Sequence, residues 1–309
     1  MSSFSASDLL SRIADIVCNS EEKERQKEKE ERTPKAGTPP DPKPKGTKHR
    51  LLRPLSPVIH AALLEQQQTS APPDLSLPPL SAAAHAAIEH VRASTAKKSG
   101  AGLTRHLAAV GLRFRQAPLI IHIKADILPL LLEDTHYRNQ FETGTSSATL
   151  SPPSRNSWES RLFGNTYAAA TPFEKVKYGC LNIWSAPGGV PGAAATYGDS
   201  YIILKEEMRQ RCTFTVGDSG GGKEVALFDD NCGHVLSTLE PAALRALADG
   251  TSHTLTSYVE VQVHGPLPLN RCVAALVLHA RHRADVGGAF TNGYRFAKKF
   301  GVDLRFTDG

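Results

Sequence analysis

Near the C-terminal end of the chain, the run Tyr258-Val259-Glu260-Val261-Gln262-Val263-His264-Gly265 alternates apolar and polar side chains. In an extended strand that alternation sends Val259, Val261 and Val263 to one face and Tyr258, Glu260, Gln262 and His264 to the other. A carboxylate, an amide and an imidazole thus stand along one line at spacings of about 7 Å. Such a row suits acid/base chemistry or the positioning of a substrate, with Glu260 as the principal acidic group. A second strand, Leu119 to Asp126, sets His122 and Lys124 opposite Ile121 and Ile123. The run after it, from Tyr137 to Ser147, crowds Gln140, Glu142, Thr145 and Ser146 around Gly144, as expected of a turn that approaches a polar ligand. Tyr178 and Asn182 flank the start of a further strand, and Asp218 and Ser219 close another.

These segments need elements to carry them. From Ala117 onward the chain reads as short β-branched strands divided by Gly, Pro and Ser loops and by helical stretches such as ADILPLLLED and LEPAALRALAD. The order is irregular, without a steady βαβ repeat, so the expected fold is an α+β domain with a mixed, largely antiparallel sheet rather than a doubly wound one. Residues 105–309 are assigned to it. Ahead lie an Ala/Pro-rich helical segment over 51–104 and, over 1–50, a short helix from Asp8 to Val17 followed by a charged linker. The stretch EEKERQKEKEER and the proline-broken TPKAGTPPDPKPKGTK have too little apolar surface to fold alone, so this region is expected to be disordered. His85 and His90 lie five apart, which does not place them on one helix face as paired metal ligands would be.

Composition narrows the function. Among 309 residues, 40% are hydrophobic and 22% charged, an ordinary globular balance made slightly polar by 21 prolines and 24 glycines. The net charge of +5 owes much to the N-terminal stretch, so nucleic acid is not the expected partner. No apolar run approaches the roughly 20 residues that cross a bilayer, and the N-terminus lacks the pattern of a secretory signal. A soluble, cytoplasmic protein is expected. Five cysteines without a CxxC pair argue against a disulfide framework or a Cys-based zinc site, and HEXXH, GxSxG and GxGxxG are absent. The run SGGGK lacks the spacing of a phosphate-binding P-loop. No metal ligand set is assigned.

Five blocks carry a family resemblance: Gln140-Phe141-Glu142-Thr143-Gly144; Trp158-Glu159 with Arg161-Leu162-Phe163-Gly164 and Tyr167; Lys177-Tyr178-Gly179 with Leu181-Asn182; Thr213-Phe214-Thr215 with Gly217-Asp218-Ser219; and Tyr258, Glu260 and Gln262-Val263-His264-Gly265. In this order they resemble an uncharacterised, mainly bacterial domain-of-unknown-function family, over roughly residues 105–308. The chain departs from that pattern after His122, where Ile123-Lys124-Ala125-Asp126 replaces His-Pro-Asp-Arg, and at Asp199 beside Gly198. A more distant similarity is to ADP-ribosyltransferases, whose split sheet supplies an early His or Arg, a hydroxyl-rich strand and a late Glu. That resemblance implies a transferase acting on NAD, with Glu260, His122 and Gln262 catalytic, and with Gln140, Glu142, Thr145, Ser146, Tyr178, Asn182, Asp218 and His264 binding a small-molecule or protein substrate. Two alternatives stay open. One is a hydrolase built on a carboxylate and a histidine, and the other is a ligand-binding module without catalysis.

Overall fold

The structure is a computed structural model that describes residues 76–98, 104–144, 151–221, 223–251, 255, 258–285 and 287–307. The N-terminal helix and linker over 1–50, most of the helical segment over 51–104, and Thr145 and Ser146 lie outside the described residues. The compact unit that holds the described residues runs from Ala71 to Gly309. Among its helices, in chain order, are α1 (Ala82–Lys98), α2 (Arg105–Gln116), α3 (Leu128–Glu133), α4 (Gln140–Thr143), α5 (Pro152–Phe163), α6 (Pro191–Tyr197), α7 (Pro241–Asp249) and α8 (Ala289–Phe300), with further single turns at Gly233–Leu236 and Leu269–Cys272. The strands are β1 (Leu119–Ile123), β2 (Lys177–Leu181), β3 (Ser200–Leu204), β4 (Cys212–Val216), β5 (Ala226–Leu227), β6 (Val259–Val263), β7 (Val273–Leu278) and β8 (Asp303–Phe306).

The strands form one sheet in the order β5-β4-β6-β2-β1-β3-β7-β8. Every pairing is antiparallel except β7 with β8. The domain is therefore α+β with a mixed, mostly antiparallel sheet. Its apolar face carries Leu119, Ile121, Leu181, Ile202, Phe214, Val261 and Leu276, which join Phe114 of α2, Leu247 of α7, Phe296 of α8 and Leu128 of α3 in the main core. The opposite face is half polar. There α1 and α5 supply Ala84, Ala87, Ile88, Val91, Leu162 and Phe163 over one flank, and Ala193 of α6 packs with Ile120, Cys180, Tyr201 and Val277 over the other.

Between the flanks the sheet splits. β1 and β2 pair at Leu119↔Leu181 and Ile120↔Cys180 and then part, whereas β2 pairs with β6, and β1 with β3, over four residues each. Gly179 stands at the fork, where an added Cβ would lie 2.5 Å from the Ile120 carbonyl oxygen. Glycine lets the two backbones touch there before they diverge.

α5 is held at both ends. Ser151 caps its first turn through Ser154 N–H, Pro152 and Pro153 fit the donor-free opening turn, and Gly164 (φ 64°) ends it in the left-handed region. The closeness of His90 to Gly164, where a Cβ would meet the imidazole at 2.5 Å, seats α1 against the end of α5. His85 and His90 are exposed on α1.

Candidate functional site

The split opens into a cavity of about 630 Å³, within the usual size range of small-molecule sites. β1 contributes Ile121 and His122, and β2 contributes Lys177 to Cys180, so both faces of the parted β2 edge are reached. β6 contributes Glu260 with Tyr258 just before it, α5 contributes Arg155 and Trp158, and α6 contributes Ala193 and Tyr197. The segment from Ile127 to Thr143 closes the far side, with Gln140 and Glu142 among its lining residues, and Asp218 enters from the turn after β4. His122, Gln140, Glu142, Tyr178, Asp218 and Glu260 are thus brought together. Gln262, His264 and Asn182 do not line the cavity.

Glu260 is 5% exposed, and register places it beside Cys180 of β2 and Thr215 of β4. Burial pushes its carboxyl up to about 7; hydrogen bonds from Ser219 and Gln262 oppose that rise, the Asp218 charge adds to it and the Arg155 charge opposes it. A carboxyl poised near neutrality in a cavity wall can work as a base, as an acid or as a charge that switches with pH.

Behind Glu260 runs a chain of buried side chains. Gln262 Nε2 donates to Glu260 Oε1 (2.8 Å) and reaches Thr215 Oγ1 (3.3 Å), while Thr213 Oγ1 donates to Gln262 Oε1 (2.8 Å). Having spent its single proton on Gln262, the Thr213 hydroxyl must accept from His264 Nε2 (3.0 Å). His264 Nδ1 is then left to accept from the Tyr167 hydroxyl (2.7 Å). Burial lowers the His264 pKa to about 3 and raises that of Tyr167, which keeps the imidazole neutral and the phenol a donor. Along the path from Tyr167 through His264, Thr213 and Gln262, each donated proton therefore points toward Glu260. Bonds aligned in this way polarise one another and fix the orientation of the carboxylate. The expected polar face of the Glu260 strand exists, but it is buried: all five residues of β6 are enclosed, so Gln262 and His264 support Glu260 instead of meeting a ligand.

His122 also differs from expectation. Its Nε2 accepts from Val190 N–H (3.0 Å), so Nδ1 carries the proton and donates to Gly198 O (2.7 Å). Burial lowers its pKa, against smaller raising effects from Gly198 and Asp199. With both nitrogens bound to backbone, the imidazole acts as a clamp on the segment that carries α6 and Tyr197. Gly198 (φ 121°) lies so close to β1 that a Cβ would fall 2.2 Å from Ile123 O. Its neighbour Asp199 pairs with Arg281 (2.7 Å), and Lys124 is exposed; neither lines the cavity. Asn182 closes the turn after β2 through two bonds to Ala186, at 2.9 and 3.0 Å.

Glu142 belongs to a capping box. Asn139 accepts from Phe141 and Glu142 N–H, and Glu142 Oε2 accepts from Asn139 N–H (3.0 Å). Glu142 Oε1 is 2.6 Å from His136 Nε2, and Asn139 Nδ2 ties α4 to Pro172 O (2.6 Å). The turn around Gln140 is thereby pinned against the segment before β2, and Gln140 Oε1 accepts from Arg155 Nε of α5 (3.2 Å).

Arg155 stands in none of the five sequence blocks, and Trp158, Glu159 and Lys177 stand in them without being candidate site residues. Arg155 lies over the Tyr178 ring (4.5 Å) and the Trp158 ring (5.6 Å), and its Nε donates to Gln140 Oε1 (3.2 Å). The Tyr178 hydroxyl donates to Glu159 Oε1 (3.2 Å). Glu159 is 2% exposed, and Oε2 has no hydrogen-bond partner among the described residues. Burial pushes its carboxyl up to about 7, against the Lys175, Arg155 and Lys177 charges and the Tyr178 bond. Lys177 is 1% exposed and donates to Phe173 O and Gly265 O; burial brings its pKa down to about 8. Lysine and arginine at such positions are indistinguishable in sequence from surface cations. Among the described residues no group of three or more His, Cys, Asp or Glu side chains is arranged to hold a metal ion.

With this geometry in place, the comparison with known families is specific. Residues 119–226 match the family described as "Protein of unknown function (DUF3626)". The match begins at the first residue of β1, runs through β2, β3 and β4, and ends at Ala226 in β5, so it takes in the fork of the sheet, α5 and the Asp218 turn. It stops short of Glu260. The expected resemblance to a domain-of-unknown-function family is borne out over this segment. No curated protein matches the chain.

Proposed function

We propose that the cavity transfers the ADP-ribosyl group of NAD to an acceptor. The observation that carries this reading is the split sheet, in which His122, Tyr178 and Glu260 stand on the neighbouring strands β1, β2 and β6 and all border one cavity. An early His, a hydroxyl-rich strand and a late Glu are the features of the ADP-ribosyltransferase resemblance; its hydroxyl-rich run, Thr145-Ser146-Ser147, lies outside the described residues, and Tyr178 is the hydroxyl-bearing residue that β2 brings to this cavity.

The chemistry asks one main thing of the protein. The bond between ribose C1′ and the nicotinamide nitrogen breaks with its electron pair going to nitrogen, so nicotinamide leaves neutral and positive charge develops on the ribosyl ring. Ionised Glu260 holds a ribose hydroxyl and stabilises that charge, and its fixed orientation means that little reorganisation is needed as the charge appears. The acceptor's lone pair then forms the new bond to C1′, and the acceptor proton passes to Glu260. Tyr178 and Trp158 offer aromatic faces beside this point. His122 holds α6 in place, and Gln262, Thr213 and His264 orient the carboxylate.

The hydrolase alternative needs an imidazole that can take a proton from water. His122 and His264 each have both ring nitrogens engaged within the protein, which favours transfer over that alternative. No helix among the described residues is long and apolar enough to cross a membrane. The acceptor is a small molecule or a protein, and the setting is a reducing cytoplasm, a reading supported by four buried free thiols. The test is release of nicotinamide from NAD by the full chain. The wild type is expected to release it and Glu260→Gln is expected to bind NAD without turnover; no release by the wild type would refute the proposal.

A further inference from the structure

The cations around the cavity are not equivalent. Arg138 is paired with Asp134 on its own segment, and Lys177 is spent on two backbone carbonyls. Lys175, just behind the wall, donates to Asn156 Oδ1 (2.8 Å) and Tyr167 O (3.1 Å). Arg155 is different. It forms no ion pair among the described residues, and its guanidinium lies against the Tyr178 ring (4.5 Å) and near the Trp158 ring (5.6 Å), with Nε hydrogen-bonded to Gln140 Oε1. A guanidinium placed by two aromatic rings, by the Gln140 bond and by a bond to the Tyr178 hydroxyl still keeps N–H donors of its five for an anionic partner, with little entropy left to lose. The backbone at Gln140 is itself set by the capping box that Asn139 and Glu142 form around α4, and its side chain meets Arg155 with no ligand present.

We propose that Arg155 is the anion-recognising residue of this cavity and that its ligand is the diphosphate of a nucleotide. The inference rests on the NAD reading for the identity of the nucleotide, while the recognition of a diphosphate is separable from transfer. It also assigns Gln140 and Trp158 as residues that position Arg155 and do not themselves bind phosphate. Tyr178 serves both ends of the site: its ring lies under Arg155, and its hydroxyl is anchored on Glu159.

Titration calorimetry of the full chain with NAD, ADP, sodium pyrophosphate and nicotinamide riboside tests this. The wild type is expected to bind NAD and ADP, and Arg155→Gln to weaken both by about 10- to 100-fold. Nicotinamide riboside, which lacks the diphosphate, should bind the two proteins equally, and that equality also shows that the variant is folded. Unchanged NAD and ADP affinity in Arg155→Gln would overturn the proposal. So would an equal loss for nicotinamide riboside, because Arg155 would then shape the whole cavity, and so would a wild type that binds neither ADP nor pyrophosphate. Arg155-dependent ADP binding without nicotinamide release would leave this inference standing and remove the transferase reading. Should Arg155→Gln fail to fold, Arg155→Lys keeps the charge and loses the flat fork; it is expected to bind ADP about fivefold or more weakly, and wild-type affinity would overturn the proposal.

Discussion

Replacing Glu260 by glutamine should make the protein more stable at alkaline pH. In the folded state burial holds the Glu260 carboxyl at about 7, against the ordinary 4.5 expected of the unfolded chain. Between those two values the folded protein keeps a proton that the unfolded chain has released, so stability falls as pH rises through this window. Above about 7 the full penalty is in force, on the order of 3 kcal/mol at about 1.4 kcal/mol for each tenfold difference in proton binding. Glutamine carries no charge to desolvate. Its amide oxygen can still accept from Gln262 and Ser219, with a loss of about 1 kcal/mol for bonds that are no longer charge-assisted. The expected net gain is therefore about 2 kcal/mol at pH 8.5, shrinking toward zero or slightly reversing near pH 4. Urea denaturation of both proteins at pH 4.5, 6, 7.5 and 8.5 measures it. Glu159, also held at about 7 by burial, remains in both proteins and leaves a shared slope, so the difference between them isolates Glu260. A difference that does not vary with pH, or a variant less stable than wild type at pH 8.5, would refute the reasoning.

Other substitutions probe the supports of the site. Thr213→Val removes the hydroxyl between Gln262 and His264 and leaves buried partners unpaired; a loss of about 2 to 4 kcal/mol is expected in urea denaturation, with Thr213→Ser restoring most of it. Gly198→Ala combines a left-handed backbone (φ 121°) with a Cβ 2.2 Å from Ile123 O, so a loss of about 3 kcal/mol or more is expected by thermal melting. Because the same residue holds His122, that variant should also lower NAD affinity, whereas Gly144→Ala, whose Cβ meets nothing within 4 Å, should cost about 1 kcal/mol from backbone strain alone.

The alternation of Val259, Val261 and Val263 was enough to read β6 and to place Glu260, Gln262 and His264 on one face. It could not reveal that the strand lies inside the sheet. Its valine face joins the main core, and burial of its polar face comes from Phe163 of α5 and from Tyr167 just beyond it, which arrive from about a hundred residues upstream. For that reason the sequence alone presents Gln262 and His264 as ligand-facing, whereas the fold makes them internal supports. His122 was legible as a polar residue in an apolar strand, yet its bonds go to Gly198 and Val190, which only tertiary structure brings near. Asn139 could have been found: an Asn followed three residues later by Glu and then by a glycine is the signature of a capped turn of helix. Arg155 could not, since a cation on a short helix becomes informative only once Tyr178, Trp158 and Gln140 surround it. β7 and β8 carry little sequence signal because Val273–Leu278 is an unbroken apolar run with alanines, and Asp303–Phe306 is a short edge strand without strong turn signals.

The central claim is that ionised Glu260 drives loss of nicotinamide from NAD, and the pH dependence of that release addresses it most directly. NAD carrying a labelled nicotinamide ring, incubated with the full chain between pH 5 and 9, should lose its label with a kcat/KM that falls about tenfold per pH unit below about 7 and levels off above it. Glu260→Gln should show no release at any of these pH values while still binding NAD. Release by the wild type that is independent of pH across this range, or turnover retained by Glu260→Gln, would contradict the account.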